Sequence, residues 1–327
     1  FFLQPSVLQF QRLSAMTPRR AIATALAAGF LFGASTPAAK TLAGEMSAFL
    51  LAGLLYAGSG SGLSLWMALT GLPRAPLARR TDLPWLAAAV LVGGVIGPVL
   101  LMYGLSRTAA STSALLLNLE GVFTALLAWF VFKENFDRRI ALGMALIVAG
   151  GVMVAVGPDA PGGFDPGVIF IAGACLAWSI DNNFTRKVSA GDPVAIAAIK
   201  GIVAGAVNVS IAVVAGAAWP STRQILGAGL IGFLGYGVSL ALFVVALREL
   251  GAARTGAYFS TAPFVGVALA FIALQETPGT LFWAAAAVMA AGVWLHVSER
   301  HEHAHVHEPL EHAHGHVHDK HQRPAHD

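Results

Sequence analysis

Charge is the scarcest property of this chain. Only 11% of its 327 residues are Asp, Glu, Lys or Arg, against about 25% in a soluble globular protein. Nine of those charges fall within 299–327, so the body of the chain is poorer still. So few charges cannot cover a water-exposed surface, which excludes a soluble enzyme. The net charge is +3 and the arginines are scattered between apolar runs, which excludes nucleic acid as a partner. Cysteine is nearly absent as well. The single Cys175 lies in an apolar run, rules out a disulfide framework or a cysteine zinc site, and reads as a small buried hydrophobe. There is no ATP-binding loop and no room for one, so no cofactor is required and energy must come from a gradient or a partner. What is abundant is apolar and small: 56% hydrophobic residues and 36 glycines, a composition suited to helices packed closely in a lipid bilayer.

The chain opens on Phe1, and residues 1–15 mix polar and apolar side chains around a proline. Met16, followed by Thr17-Pro18-Arg19-Arg20, reads as the translation start, with residues 1–20 an extension expected to be disordered. Residues 17–39 also resemble a signal peptide, but their apolar run reaches about 19 residues, long enough to span a bilayer.

Ten apolar segments are long enough to cross: 21–39, 46–70, 84–106, 110–132, 139–157, 167–186, 193–217, 225–247, 252–274 and 279–298. The basic residues test this division. With the N-terminus inside, 16 lysines and arginines fall on the cytoplasmic side and only Lys40, Arg107 and Arg223 outside, with Lys200 inside a span. A bias that alternates at every loop sets orientation and places both termini in the cytoplasm of a multi-pass inner (plasma) membrane protein.

Sliding the chain against itself until Gly93 meets Gly235 superimposes spans three to five on spans eight to ten. In that register Leu105 meets Leu247, Ala110 meets Ala252, Glu134 meets Glu276, and Ala149-Gly150 meets Ala291-Gly292. The first two spans match the sixth and seventh more loosely, with Phe32 against Trp178 and Lys40 against Arg186 or Lys187. The expected fold is therefore all-α and integral to the membrane, ten transmembrane helices as two five-helix repeats over 21–157 and 167–298. Five is odd, so the second copy runs the opposite way through the bilayer. That puts Glu134 at the inner surface and Glu276 at the outer one, an architecture of transporters.

The segment from Asn118 through Leu119-Glu120-Gly121 to Lys133-Glu134, followed by Arg139 and the helix with Gly143 and Gly150-Gly151, resembles the drug/metabolite transporter superfamily, EamA type. Tyr258-Phe259-Ser260-Thr261-Ala262-Pro263, running on to Glu276, is similar to the same pattern; the first copy has Gly121 where the family usually has proline. The resemblance covers about 21–298. It implies ten helices, a central cavity, and efflux or uptake of a small-molecule substrate.

Ionisable side chains within spans are costly and mark pathways. Glu120 lies near the middle of the fourth span, on a face with Ser113, Leu117 and Thr124. A carboxyl there must be protonated or paired, as a proton-coupling or cation-binding group or as a neutral hydrogen-bonding acid between helices. Asp181, Asn182 and Asn183 form a polar run in the sixth span that cannot all face lipid, so it lines a cavity or breaks the helix. Trp178, one turn earlier, offers a ring to an apolar or cationic substrate, and Tyr258 joins the same pathway from the second copy. Lys200, at similar depth on the seventh span, can pair with Asp181 or snorkel to the inner headgroups. Lys40 reads as a surface charge. Pro37, Pro98 and Pro263 interrupt spans and free carbonyls, as kinks or as cavity-lining breaks. Gly58/Gly62, Gly93/Gly97 and Gly201/Gly205 allow close helix contact, within the chain or in a homodimer.

Ten of the 11 histidines fall in 301–327. Two blocks, His301, His303, His305, His307 and His312, His314, His316, His318, flank Pro309 in a tail over 299–327 expected to be disordered. Alternate spacing suits an extended chain binding Zn²⁺ or Ni²⁺ through imidazole. The reading is a secondary transporter exporting a small organic metabolite or drug-like compound with protons. The alternative is a divalent-metal (Zn, Ni or Co) exporter using the tail, opposed by the lack of a His/Asp/Glu cluster in the spans. An integral-membrane enzyme of lipid metabolism would need paired carboxylates or a basic patch at one surface, and neither is present.

Overall fold

The computed structural model of the chain describes residues 17–70, 80–132, 138–156, 163–188, 192–250 and 252–297. Residues 1–16 of the N-terminal extension, the histidine tail and Glu134 therefore lie outside the described residues; Pro18, Arg19 and Arg20, expected to belong to the disordered extension, are instead the first turn of α1, since proline is suited to a helix start. An apolar run in lipid has no water to satisfy its backbone, so each satisfies its own by becoming helix. The helices are α1 (Pro18–Lys40), α2 (Ala48–Thr70), α3 (Leu83–Ala89, Val90–Ile96 and Gly97–Arg107), α4 (Ala110–Leu116), α5 (Leu119–Phe132) and α6 (Arg138–Ala155). They continue with α7 (Gly167–Val188), α8 (Pro193–Val214), α9 (Thr222–Gly232, Phe233–Val238 and Ser239–Leu250), α10 (Ala252–Phe259), α11 (Ala262–Leu274) and α12 (Thr280–Val297). Among the described residues the only bridge outside helices is Ala43 with Met46.

Among the described residues, eight helical stretches are long and apolar enough to cross a membrane, α4 and α5 counting as one over Ala110–Leu127; α11 and α12 are apolar but shorter. The stretch expected as a ninth span, 252–274, is divided into α10 and α11 at Ser260-Thr261. The stretch expected as the fourth is divided likewise at Leu117-Asn118. There Leu117 and Asn118 N–H groups bond three residues back, and the Asn118 amide donates to Leu115 O (2.8 Å). Ser113 is therefore not on one continuous helix with Glu120. A break arises in the first copy without proline: Gly121 is helical and faces open space.

Helix ends follow local chemistry. α8 stops at Val214, earlier than expected, because Gly216 adopts φ 75°; Ala217 N–H then bonds Ala212 O, and Gly216 N–H bonds Val213 O. α9 begins earlier than expected at Thr222, because Ser221 and Gln224 form a reciprocal capping box.

Two wide turns, with i→i+5 bonding, lie at Val90–Ile96 in α3 and at Phe233–Val238 in α9. They hold Gly93 and Gly235, the two glycines that the repeat sets against each other. α2 crosses α8, α6 crosses α12, α1 packs on α9 and α11, and α7 packs on α3 and α5. The glycine pairs make these crossings. A Cβ on Gly60 or Gly201 would strike the other helix's backbone, and Gly58 meets Gly229 in the same way. These stripes are occupied by helices of the same chain. Outward, large apolar side chains such as Phe130, Trp66, Leu69, Ile272 and Trp294 are exposed. In water such a belt would aggregate; in a bilayer it is matched to its solvent.

Candidate functional site

The site begins with one missing proton on α3. In the wide turn, Gly97 N–H bonds Val92 O, five residues back. The next residue is Pro98, which has no N–H, so the Gly93 carbonyl is left without a donor from its own helix. Two side chains from other helices supply it: Tyr56 O–H of α2 at 3.0 Å and Trp178 Nε1–H of α7 at 3.1 Å. The neighbouring Gly94 carbonyl accepts from Asn208 Nδ2 of α8 at 3.1 Å. Pro98 thus marks a break whose freed carbonyls tie α3 to α2, α7 and α8. Pro263 similarly stands in the first turn of α11, beyond a break, whereas Pro37 lies inside α1 without ending it.

Gly93 and Gly97 also form a seat. A Cβ on Gly93 would run into the Asp181 carboxylate, and one on Gly97 into the Trp178 indole. Asp181 lies there in an ion pair with Lys200 of α8, whose Nζ donates to both carboxylate oxygens at 2.6 Å. The two side chains are 9% and 13% exposed. Thr185 donates a further bond to Asp181 Oδ1 at 2.9 Å. The pairing expected from the sequence is present, and Lys200 does not snorkel.

Glu120 sits in the first turn of α5, directly after the Leu117-Asn118 break. Its Oε1 accepts from Asn182 Nδ2 of α7 at 2.9 Å. The Ser179 hydroxyl lies 2.9 Å from the Glu120 carbonyl and 2.8 Å from that of Cys175, and it accepts from Thr124 at 3.2 Å. No described residue donates to Glu120 Oε2. Asn182 is exposed although it lies one turn beyond buried Trp178 and two beyond buried Cys175. The outward apolar residues of α7, Ile169 and Leu176, are on a different face. The opening at Asn182 is therefore on the interior side of the bundle. Asn183 does not join it; its amide bonds back to Ser179 O at 2.8 Å, and α7 continues unbroken.

Aromatic rings adjoin these polar groups. Phe32 of α1 contacts Trp178 (6.5 Å between centroids), Tyr236 (6.1 Å) and Phe259 (5.4 Å). Tyr56 and Tyr236 lie 5.7 Å apart, and Phe243 and Phe259 4.8 Å apart. Tyr258 is half-buried in the last turn of α10, but its neighbour Phe259 reaches Phe32. Sequence reading missed Phe32, Tyr56 and Tyr236 as a group. The only available signal was the pairing of Phe32 with Trp178 in the repeat comparison, and those two rings meet here.

A second cluster forms at the far ends of these helices. Lys40 is half-buried rather than a surface charge: its ammonium donates to Leu105 O and to Thr108 O, at the C-terminal end of α3. Carbonyls without intrahelical donors there attract a cation. Glu276 does the converse for α4, accepting from Ala110 N–H (2.7 Å) and Ser111 N–H (2.9 Å). Asp165 caps α7 through Gly167 N–H (2.8 Å) and accepts from Thr108 O–H (3.0 Å). No group of three or more His, Cys, Asp or Glu side chains able to hold a metal occurs among the described residues.

Comparison with known proteins places this arrangement. An uncharacterized transporter of Methanothermobacter thermautotrophicus is 29% identical over 227 residues, 66% of this chain and 65% of that protein. The chain thus spans about 65% of that relative's length. A Pseudomonas aeruginosa protein named "Probable 4-amino-4-deoxy-L-arabinose-phosphoundecaprenol flippase subunit ArnE" is 40% identical over 75 residues, 23% of this chain and 63% of that one. A solved crystal structure superposes with a TM-score of 0.63 at 17% identity, covering 85% of this chain and 96% of the other, which shows a shared fold. The model of the EamA-like transporter family matches twice, over residues 19–156 and 165–298, in line with the resemblance carried by Asn118–Glu134 and Tyr258–Glu276. This chain is a multi-pass membrane protein that belongs to the EamA-like transporter family.

Proposed function

We propose that the chain is a secondary transporter of the inner membrane that exports a small organic metabolite or drug-like compound by proton-coupled alternating access. In this reading ten spans form two inverted five-helix repeats with both termini cytoplasmic. The double family match supports the duplication, as does the recurrence of the wide turn at the matching place in each half. The packing supports it too: exchanging the halves turns the α1–α9 contact into α7–α3 and α1–α11 into α7–α5, and leaves α2–α8 and α6–α12 unchanged. Two equivalent halves about one axis give two exchangeable packings.

The observation that carries the reading is Glu120. It comes from the first half, hydrogen-bonds Asn182 of the second at an opening inside the bundle, and has a second carboxylate oxygen to which no described residue donates. A carboxyl at the seam of two moving halves can take a proton in one state and release it in the other. Asp181 and Lys200 neutralise each other, so they serve to hold α7 on α8 beside the pathway.

The test is metabolite profiling of medium and cytosol from cells carrying the native protein or Glu120→Gln. Export that collapses in the variant at equal membrane abundance supports the assignment; undiminished gradient-driven export refutes it. Orientation is checked with single cysteines at Ser221 and Thr277 in a Cys175-free background. Both should label with an impermeant thiol reagent in intact cells, and a cysteine at Arg79 should not.

A further inference from the structure

We infer that the substrate is a hydrophobic organic cation, seated with its charge at Glu120 and its apolar groups against the ring cluster around Phe32. This deepens the transport reading above and rests on it. The charges of the interior point to it first. Three ionisable side chains meet in the polar interior: Glu120, Asp181 and Lys200. Asp181 receives two bonds from Lys200 and one from Thr185, and its charge is cancelled. Glu120 receives one neutral amide bond, from Asn182, and no described cation faces it. An ionised carboxylate in that position lacks a counter-charge, and the interior cannot supply one from Lys200, which Asp181 holds. Once Glu120 has released the proton assigned to it above, the partner it lacks is a cation that arrives from outside the protein.

The neighbouring surface points the same way. Asn182, which holds Glu120, lies one helical turn, about 5.4 Å of rise, from Trp178. Trp178 opens the ring cluster: Phe32 touches Trp178, Tyr236 and Phe259, and Tyr56 touches Tyr236. Phe32, Tyr56, Tyr236 and Phe259 are each partly exposed. Rings whose faces carry negative potential attract a delocalised or alkylated cation, and the same faces repel an anion. A small inorganic cation would instead need several converging oxygens; the cluster presents mainly ring carbon, and its Tyr56 hydroxyl is already bonded to Gly93 O. Polar organic anions are disfavoured by the same carboxylate. Ring and carboxylate together therefore select charge sign and hydrophobicity at once.

The experiment measures binding of tetraphenylphosphonium to the full-length purified protein by calorimetry, with tetraphenylborate, of the same shape and opposite charge, as the comparison. The inference expects the cation to bind at least about 100-fold more tightly than the anion. Glu120→Gln should lower cation affinity at least tenfold, and Phe32→Ala should lower it about tenfold. Equal binding of the two ions overturns it, as does cation binding unchanged in both variants. Should Phe32→Ala fail to fold, Phe32→Leu and the comparison on the native protein still decide. If the cation does not bind while Glu120→Gln still abolishes metabolite export from cells, the cation assignment falls and the transport reading stands. If the cation binds through Glu120 but export is untouched by Glu120→Gln, the transport reading falls instead.

Discussion

Removing the lysine from the buried ion pair isolates what that pair does. Lys200 Nζ is 2.6 Å from each oxygen of Asp181, and both side chains are about nine-tenths covered. Lys200→Met preserves most of the stem volume but leaves a carboxylate against Gly93 with one hydroxyl, from Thr185, for company. An uncompensated charge at such a site costs about 3–5 kcal/mol. Asp181→Asn alone strands the ammonium and should cost a similar amount. The double variant Asp181→Asn/Lys200→Met strands nothing, so its loss should be smaller than either single loss, with a coupling of about 2 kcal/mol or more. Thermal unfolding of the four proteins in one detergent, read by intrinsic tryptophan fluorescence, measures this cycle. Additive losses would show that the two side chains do not interact, and the ion pair as described would be wrong. Recovery of stability in the double variant without loss of export would make the pair a packing element between α7 and α8. Recovery of stability with loss of export would place it on the pathway.

Gly93→Ala pushes a methyl group into the Asp181 carboxylate and should destabilise by about 1–3 kcal/mol. Gly121→Ala, where nothing lies nearby, should be neutral or stabilising by up to about 1 kcal/mol; comparable unfolding midpoints for the two would refute the packing at α3. Glu276→Gln keeps one acceptor where two N–H groups are now bonded, a loss of about 1.5–3 kcal/mol. Amide hydrogen exchange at Ala110 and Ser111 should accelerate by about 10- to 100-fold, and unchanged protection would show that the cap is dispensable. A chain ending at Arg300 should insert and transport normally and lose Zn²⁺ or Ni²⁺ binding by calorimetry. Loss of cellular metal resistance on that truncation would instead favour the metal-export alternative.

Much of this was legible without coordinates because a bilayer acts on each segment separately. Every apolar run must reach a certain length and close its own hydrogen bonds, so composition and run length place most of the helices; the breaks at Leu117-Asn118 and Ser260-Thr261 lie inside apolar runs and leave no mark in either. The duplication is equally local, since it compares residue with residue. The Asp181–Lys200 pair could be anticipated because two opposite charges at one depth on adjacent helices have few other partners in a dry interior. The capping box that starts α9 is written in the sequence as Ser221 and Gln224, three residues apart.

What only the tertiary structure decided are the bonds between segments distant in the chain. Lys40 has the composition of a surface residue; it is half-buried because the end of α3 arrives beside it with carbonyls that lack donors. Glu276 caps a helix that starts at Ala110, and no pattern around either residue announces the other. Phe32, Tyr56 and Tyr236 are ordinary aromatic residues of apolar helices until folding brings their rings together. The sequence by itself determined the solvent, the helices, the repeat and the costly charges, because each is set by local free energy in lipid. The tertiary structure decided which charge is answered and which is left open: Asp181 meets Lys200 and Glu120 meets only Asn182. That outcome depends on how α5, α7 and α8 are placed relative to one another.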